Sequence, residues 1–275
     1  MNDKQRIDLA LTERGLAASR EKAQALIMSG CVYIREQKVL KPSEKVSPED
    51  ELTVKGPEHP YVGRGALKLE KALQVFNVRP QGMDALDIGA ATGGFSDVLL
   101  QNGARHVFAI DVGYGQLDWK IRNDPRVTVM ERTNARYLQS ADIGGAQPDI
   151  TVMDVSFISV KLILPVAAKL MAHQGVFCIL IKPQFEAGRE NVGKKGVVRD
   201  PAVHEAVVRS VRDFAPEFGY RMSMLDYSPI KGPEGNIEYI ARLDPAAEGE
   251  AAVTDAQIAK AVAEAHGKLD KTPIE

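Results

Sequence analysis

A glycine-rich turn directly after an apolar run is the stretch of this sequence best suited to chemistry. The run ends at Asp87-Ile88, glycines follow at positions 89, 93 and 94, and an amphipathic helix begins at Ser96. Glycines in such a turn let the backbone approach a ligand closely, and free N–H groups at a helix start favour polar or anionic groups. Asp111 ends the next apolar run, where a carboxylate can accept hydrogen bonds from ribose hydroxyls. The pattern predicts a cofactor site.

The spacing of the glycines indicates which cofactor. The dinucleotide fingerprint G-x-G-x-x-G does not occur in this turn. The spacing is instead acid-x-Gly-x-x-x-Gly, beginning at Asp87, which is typical of S-adenosylmethionine-dependent enzymes. Two alternatives stay open on this feature alone: a nicotinamide or other nucleotide binder, and a glycine-rich turn that only packs a helix on a sheet.

Four polar side chains fall at the predicted carboxyl ends of strands, namely Asp87, Asp111, Asp154 and Lys182. Strands are expected at 84–88, 106–111, 126–130, 149–154, 176–182, 221–227 and 237–243, with helices at 94–102, 158–171 and 202–214. This alternation predicts an α/β fold in which a mostly parallel sheet carries helices on both faces. Because ligands of such sheets bind at the carboxyl ends of the strands, the four side chains are expected to share one site.

Lys182 follows Val176–Ile181, a run apolar enough to be a buried central strand, and Pro183 stops that strand. One interpretation is a lysine that reaches solvent at the strand tip. The other is an amine held partly desolvated, where burial and a second cation lower its pKa. A shift of about three units would make it a usable general base, at a cost of about 4 kcal/mol.

Three further polar residues are candidates that also have structural explanations. Asp154 could cap the helix expected to begin near Ser159. Lys68 could lie on a solvated helix face, and Glu238 could occupy an edge or solvent-facing strand position. The segment that begins at Asp154 lacks the prolines of the D/N-P-P-Y/F motif of amino-group methyltransferases, which disfavours methylation of an amine.

Composition limits the protein class. The net charge is −2, with 44% hydrophobic and 26% charged residues, so any nucleic-acid site must be a local patch on an ordinary globular protein. Cys31 and Cys178 each lie in an apolar run, which favours buried thiols over a disulfide or metal site. The histidines have no ligand spacing, and no metal is expected. The N-terminus lacks a signal-peptide pattern and no apolar run approaches about 18 residues, so we expect a cytoplasmic protein.

Domain organisation follows from changes in pattern along the chain. Residues 1–58 combine two short helices, the second capped by Ser19, with short strands, and residues 59–63 have linker chemistry. Residues 64–245 contain the alternating strands and helices. Residues 246–275 form an Ala- and Glu-rich tail with one helix capped by Thr254.

Lys68, Asp154, Lys182 and Glu238 together resemble the Lys–Asp–Lys–Glu tetrad of FtsJ-type ribose 2′-O-methyltransferases. The segments around them resemble the TlyA family, over residues 5–243. They are Val62-Gly63-Arg64-Gly65-Ala66-Leu67-Lys68-Leu69, Asp111-Val112-Gly113-Tyr114-Gly115-Gln116-Leu117, Arg132-Thr133-Asn134-Ala135-Arg136, Asp154-Val155-Ser156-Phe157-Ile158-Ser159, Ile181-Lys182-Pro183-Gln184-Phe185-Glu186 and Gly232-Pro233-Glu234-Gly235-Asn236. TlyA proteins are known as ribosomal RNA cytidine 2′-O-methyltransferases and have also been labelled hemolysins.

The resemblance implies a Rossmann-like class I methyltransferase fold with a mostly parallel seven-stranded sheet, preceded by a small α+β RNA-binding domain of the S-four type. It implies S-adenosyl-L-methionine as cofactor and cytidine in small- or large-subunit ribosomal RNA, or in both, as substrate. It implies neither a metal nor a membrane partner, and it leaves the oligomeric state open with a monomer favoured. The implied catalytic residues are Lys68, Asp154, Lys182 and Glu238. The implied cofactor contacts are Asp87, Gly89, Ala90, Thr92, Gly93, Gly94, Phe95, Asp111, Val112, Asn134 and Asp154. The implied RNA contacts are Arg6, Arg20, Lys22, Lys41 and Arg64.

In the implied mechanism, a neutral Lys182 takes the proton of a ribose 2′-hydroxyl while Lys68 lowers the pKa of Lys182. Asp154 and Glu238 then position the two lysines and balance their charge. Three alternatives remain: a non-catalytic RNA-binding ribosome-assembly factor that retains the fold, methylation of a base amine, and a membrane-lytic hemolysin. The last would need an amphipathic or spanning apolar segment outside the predicted core.

Overall fold

The chain contains two compact units, which divide between Pro60 and Tyr61. The structure, a computed structural model, describes residues 4–28, 30–39, 41–55, 59–193, 195–247 and 251–270. The predicted domain boundary at residue 58 and the parts of the predicted tail at 248–250 and 271–275 lie outside the described residues.

The N-terminal unit is a small α+β fold. Its elements are the strands Gln5–Arg6 (β1), Val32–Ile34 (β2), Gln37–Val39 (β3), Lys45–Val46 (β4) and Leu52–Val54 (β5), and the helices Ile7–Glu13 (α1) and Arg20–Met28 (α2). Strand β2 pairs antiparallel with β3 and β5, and β1 pairs antiparallel with β4. Helix α1 buries Ile7, Ala10 and Leu11, which fall on one helix face and meet Ile27 of α2 in the core. The N–H of Lys22 bonds to the predicted cap, Ser19.

The second unit is built on a sheet of seven strands among the described residues. They are Asp84–Ile88 (β6), His106–Ile110 (β7), Val127–Met130 (β8), Ile150–Met153 (β9), Val176–Ile181 (β10), Tyr220–Tyr227 (β11) and Tyr239–Pro245 (β12). Their order across the sheet is β11-β12-β10-β9-β6-β7-β8, and β12 is the one strand of the seven that runs opposite to the others. The predicted mostly parallel seven-stranded sheet is confirmed. The strand order reverses between β6 and β9, which is where such sheets bind ligands.

Helices cover both faces of this sheet. They are Ala66–Val75 (α3), Gly94–Gln101 (α4), Trp119–Arg122 (α5), Leu164–Ala168 (α6), Pro183–Glu186 (α7), Pro201–Phe214 (α8) and Asp255–Leu269 (α9). Helices α3, α4 and α5 pack on one face through Leu69, Leu99 and Ile121. Helices α6 and α8 pack on the other face, where Leu164 and Val208 belong to a second apolar cluster.

The helix predicted over residues 158–171 is wrong in extent. The structure has a 3-10 turn at Val160–Leu162, capped by Ser159, and then the short helix α6. Pro165 lies in the first turn of α6, and it lacks the N–H that a continuous helix through this segment would need.

The C-terminal helix α9 is part of the second unit's core. Thr254 caps it, as predicted, in a capping box with Gln257. Ile258, Val262 and Leu269 are buried in the apolar cluster shared with α8. The tail thus contributes packing to the face of the sheet opposite α3 and α4.

Candidate active site

The site is centred on the close approach of two loops at the point where the strand order reverses. The N–H of Asp154 donates to the carbonyl of Ile88 at 3.1 Å, so the loop after β9 lies against the loop after β6. Gly89 adopts φ +85°, and a Cβ there would stand 2.7 Å from the carbonyl oxygen of Asp154. A side chain at this position would push the two loops apart, which explains the first glycine of the motif.

The other two glycines bring helix α4 into place. Gly93 caps α4 with φ +90°, and its Cβ would lie 2.9 Å from Leu117 Cδ1. Gly94 lies against α3, where a Cβ would be 3.2 Å from the N atom of Ala66. Both glycines thus allow α4 to pack closely against its neighbours, and the contact of Gly93 and Gly94 with a cofactor stays a prediction.

A cavity of about 460 Å³ opens on one side of the loop contact. Predicted cofactor contacts in its wall are Gly89, Asp111, Val112, Asn134 and Asp154. The carboxylate of Asp111 accepts the N–H groups of Ala91 at 2.8 Å and of Gly113 at 2.7 Å. These bonds hold the acid at the cavity edge, and they leave lone pairs of its oxygens for a ligand hydroxyl.

A second cavity of about 420 Å³ opens on the other side of the same contact. Predicted residues in its wall are Arg64, Lys68, Gly89, Ala90, Thr92, Gly94, Phe95, Asp154 and Lys182. The two cavities share Gly89, Ala91, Asp154 and Ser156. Two ligands bound side by side would therefore face each other across the Asp154 loop.

Two buried lysines meet at one carboxylate in this shared wall. Lys182 Nζ lies 2.6 Å from Asp154 Oδ1, and Lys68 Nζ lies 3.5 Å from Asp154 Oδ2. The lysines are only 6% and 7% exposed, Lys68 and Lys182 respectively. Since charged groups are buried only when they are paired, the two ammonium groups are held in place by electrostatics. We call Lys68 and Lys182 the lysine pair.

Glu238 is a second, deeper partner of the lysine pair. Its Oε2 accepts Lys68 Nζ at 2.6 Å and its Oε1 accepts Gln184 Nε2 at 3.2 Å. Glu238 is 1% exposed, and Lys68 is a lining residue of the second cavity whereas Glu238 is not, so Glu238 is placed to position Lys68 rather than to contact a ligand. Burial lowers the pKa of Lys68, but the charges of Asp154 and Glu238 outweigh it and leave that pKa above its ordinary value.

Comparison with known proteins agrees with this geometry. The FtsJ-like methyltransferase family model matches residues 61–244, and the S4 domain model matches residues 5–52. The chain belongs to the FtsJ-like methyltransferase family. It is 50% identical over 268 residues to a Bacillus subtilis protein named as rRNA methyltransferase YqxC, covering 97% of this chain and 95% of that protein.

Two further relatives place the chain among the TlyA members of the family. It is 47% identical over 235 residues to the 16S/23S rRNA (cytidine-2′-O)-methyltransferase TlyA of Mycobacterium tuberculosis, covering 85% of this chain and 87% of that protein. A solved structure of a protein named as a hemolysin, from Streptococcus thermophilus, superposes with a TM-score of 0.78 at 45% identity and covers 98% of each chain. In the part of this chain that the structure describes, no helix is both long enough and apolar enough to cross a bilayer.

Asp87 differs from the other strand-end acids of this FtsJ-like methyltransferase. Its side chain is fully buried, and its Oδ2 accepts the hydroxyl of Ser96 at 2.6 Å. Burial raises the pKa of Asp87 to about 7. The Asp87 carboxylate bonds to Ser96 of α4 and is not part of the wall of either cavity, and its contact with a cofactor stays a prediction.

Ser156 and Phe157 are site residues that the sequence reasoning missed as candidates. The Oγ atom of Ser156 accepts Lys182 Nζ at 2.9 Å. Phe157 is 91% exposed at the rim of the first cavity, has φ +64°, and lies 5.1 Å from the Phe185 ring, centroid to centroid. The feature that marks Phe157 as a site residue is an exposed aromatic ring on a residue whose backbone is in an unfavourable conformation. That feature is visible only in the structure.

Glu186 ties together the two loops that carry these side chains. Its Oε2 accepts the Ser159 hydroxyl at 2.6 Å, and its Oε1 accepts the N–H of Val160 at 2.7 Å. Burial raises the pKa of Glu186. The loop after β9 and the segment after β10 are thus fixed relative to each other, which fixes Asp154 relative to Lys182.

The predicted RNA contacts of the N-terminal unit are partly organised by one acid. Asp8 is fully buried and accepts the guanidinium groups of Arg6 at 2.9 Å and of Arg20 at 3.0 Å. The Arg6 hydrogen bond is the largest cause that holds the pKa of Asp8 well below its usual range. Lys22 and Lys41 are exposed on the same unit. The remaining predicted contact, Arg64, lies in the second unit and belongs to the wall of the second cavity.

Exposed aromatic and cationic side chains follow β7 and β8 in the second unit. Tyr114 is 67% exposed and Tyr137 is 69% exposed. The guanidinium carbon of Arg132 lies 4.0 Å from the Tyr114 ring centroid, and that of Arg136 lies 5.7 Å from the Tyr137 centroid. Stacked aromatic and arginine side chains are typical of surfaces that bind single-stranded RNA.

Proposed function

We propose that this protein is an S-adenosylmethionine-dependent 2′-O-methyltransferase that acts on cytidine in ribosomal RNA, in the cytoplasm. The observation that carries the proposal is the lysine pair, buried at one carboxylate in the wall between two cavities. A base and a fixed cation at the boundary of two ligand sites suit the transfer of a group from one ligand to an oxygen of the other.

The first cavity fits the cofactor. A volume of about 460 Å³ falls in the range of about 300–1,000 Å³ typical of small-molecule sites. Asp111 would hold the ribose hydroxyls, and the backbone at Gly89, kept free of a side chain, would admit the ligand to the shared wall. When bound, S-adenosylmethionine supplies an electrophilic methyl group on a positively charged sulfur.

Lys182 is proposed as the general base. In methyl transfer to a ribose, Lys182 Nζ would take the proton of the 2′-hydroxyl as that oxygen accepts the methyl group that the bound cofactor supplies. General-base catalysis of this kind contributes about 10²–10⁴-fold. Alignment of the oxygen with the methyl carbon supplies a further share of the rate.

Lys68 is proposed as the fixed positive charge of the pair. Its pKa lies above the ordinary value because Asp154 and Glu238 outweigh the cost of burial. A lysine that stays protonated cannot accept the proton, but it places a positive charge beside the alkoxide that develops on the ribose oxygen. The effect of Lys68 on the basicity of Lys182 stays a prediction.

Ribosomal RNA as substrate is inferred from four features. Relatives at about half identity are named for rRNA methylation, and the N-terminal unit matches the S4 domain model. Arg6 and Arg20 of that unit present half-exposed guanidinium groups suited to phosphates. The exposed ring of Phe157 could stack an unstacked base at the cavity rim.

The test is transfer of a labelled methyl group to each purified ribosomal subunit. We expect Lys182→Ala to lose transfer while cofactor binding is largely retained. Lys161→Ala is the matched control, because Lys161 also donates to a serine hydroxyl, that of Ser210, and is not a lining residue of either cavity. An active Lys182→Ala enzyme would refute the proposed base.

The same assay separates the other functions. A ribosome-assembly factor would bind rRNA without methyl transfer. Methylation of a base amine would leave the modified nucleotide sensitive to alkali, whereas a methylated 2′-oxygen cannot attack the adjacent phosphate and makes that linkage resistant. A membrane-lytic protein would release dye from pure lipid vesicles at micromolar protein.

A further inference from the structure

Ser156 is the one neutral side chain that bonds to the nitrogen of Lys182 among the contacts described above. Its hydroxyl oxygen accepts Lys182 Nζ at 2.9 Å, while Asp154 Oδ1 lies 2.6 Å from the same nitrogen. Ser156 also lines both cavities. It therefore lies at the place where two bound ligands would face each other.

Asp154 and Ser156 approach the same nitrogen from either side of a buried residue. Val155, between them, is 9% exposed and packs into the apolar core. The side chains that flank it both lie close to Lys182 Nζ.

The geometry of an amine determines what these two contacts do. A protonated lysine has three N–H donors, whereas a neutral lysine has two N–H donors and one lone pair. If the neutral amine donates one N–H to Ser156 and keeps its other N–H beside the Asp154 carboxylate, 2.6 Å away, the lone pair takes the remaining direction. Lys182 lines the second cavity, so that direction is the one open to a substrate.

We propose that Ser156 is a positioning residue that fixes the rotation of the Lys182 amine, so that its lone pair faces the oxygen to be methylated. This inference rests on the proposed function, since it assigns a partner to the proposed general base. Without the Ser156 hydroxyl, the neutral amine turns about its Cε–Nζ bond and spends most of its time with the lone pair misdirected. Proton transfer then slows, although both ligands still bind.

The experiment compares Ser156→Ala, Ser156→Thr and Ser210→Ala with the unaltered enzyme in single-turnover methyl transfer to ribosomal subunits, at saturating S-adenosylmethionine and RNA. Ser210 is the matched control, because its hydroxyl accepts Lys161 Nζ at 2.7 Å on the outer surface of α8. We expect Ser156→Ala to lower the rate constant about tenfold. We expect Ser156→Thr, which keeps the hydroxyl, to stay within about threefold, and Ser210→Ala to be unchanged.

Two further readouts separate positioning from a structural or substrate-binding role. Dissociation constants for cofactor and RNA should be unchanged in Ser156→Ala. Ser156→Thr, which restores a hydroxyl acceptor, should restore the rate constant without changing either dissociation constant.

Equal rate constants for Ser156→Ala and the unaltered enzyme would overturn the inference. It would also be overturned if the variant lost only RNA affinity, because Ser156 would then be a substrate contact. These outcomes are distinct from failure of the proposed function, in which the unaltered enzyme itself transfers no methyl group.

Discussion

The Cβ that Gly89 lacks would stand 2.7 Å from the carbonyl oxygen of Asp154. This distance joins the cofactor turn to the acid that holds the lysine pair, across the reversal in strand order. Gly89 and Asp154 are 65 residues apart in the sequence (154 − 89), but they lie in contact in the structure. Any change that separates the loops should therefore affect both cavities at once.

Gly89→Ala tests this contact. The backbone at Gly89 has φ +85°, and an L-residue there costs about 1–2 kcal/mol before any clash is counted. Gly82→Ala is the matched control, since it has φ +75° with no atom within 4 Å of the added Cβ. We expect thermal unfolding to show a larger loss for Gly89→Ala, and cofactor binding to weaken only in that variant. Equal losses in the two variants would mean that the loops move apart without cost.

Glu238→Ala tests the deeper ion pair. Removing this carboxylate leaves buried Lys68 with Asp154 at 3.5 Å as its remaining described charge partner. Breaking a buried pair from one side costs about 3–5 kcal/mol, to be measured by chemical denaturation. Glu264→Ala, which breaks an exposed helical pair with Lys260 at 3.9 Å, should cost less than about 0.5 kcal/mol.

A double variant decides whether the Glu238 loss is electrostatic. Lys68→Met removes the stranded charge, so Lys68→Met with Glu238→Ala should recover stability relative to Glu238→Ala alone. No recovery would mean that Glu238 contributes by packing and by its bond from Gln184.

The sequence predicts those site residues that directly follow a strand of the parallel sheet. Asp111, Asp154 and Lys182 follow strands whose apolar runs are plain in the sequence, and parallel strands bring their carboxyl ends to one edge. Asp87 obeys the same rule in sequence but not in orientation. The alternation of side chains along β6 puts Asp87 on the face of Ala85, against α4, rather than toward a ligand.

The other site residues could be placed only once the order and direction of the strands and the loop geometry were known. Glu238 reaches the site because β12 runs antiparallel beside β10, with Tyr239 opposite Ile181, so the start of β12 adjoins the end of β10. Lys68 lies on helix α3, whose position relative to the sheet cannot be predicted from the pattern of strands. Only the resemblance to the tetrad indicated that Glu238 and Lys68 belong to the site. Ser156 and Phe157 were quoted in the motif, but their contacts depend on loop geometry.

The stability of the second unit should depend on the buried His204. Its ring bonds to Tyr239 OH at 2.8 Å and to the Val198 carbonyl at 3.1 Å, and burial lowers its pKa to about 4. The unfolded chain binds a proton near pH 6.5, while the folded chain does not until about pH 4. Stability from this group is thus full above pH 6.5 and falls as the pH drops toward 4, by on the order of 2 kcal/mol.

The measurement for His204 is the free energy of unfolding as a function of pH. In His204→Gln, which keeps a donor and an acceptor, the loss between pH 6.5 and 4 should be reduced by the same amount. His173→Gln, at an exposed position, should leave the profile unchanged. A His204→Gln profile parallel to that of the unaltered protein would assign the acid sensitivity to other groups.

Arg20→Ala tests RNA binding by the N-terminal unit. The Arg20 side chain is 48% exposed and is anchored at one end by Asp8, so little entropy is lost when it meets a phosphate. We expect the plot of log affinity for rRNA against log salt to become shallower by about 1. Arg209→Ala, on α8 of the second unit, should leave that slope unchanged. An unaltered slope for Arg20→Ala would remove this residue from the interface.

Phe157→Ala tests whether the exposed ring holds the base of the target nucleotide. The ring is 91% exposed beside Phe185, and stacking of a base on an aromatic side chain is worth about 1–3 kcal/mol. We expect methyl transfer at subsaturating RNA to fall about 10- to 100-fold, with Leu162→Ala, another exposed apolar side chain, as the unaffected control. A substrate with an abasic ribose at the target position sharpens the test. The unaltered enzyme should discriminate against it, whereas Phe157→Ala should treat it and the intact cytidine alike, and discrimination that survives the substitution would place the base elsewhere.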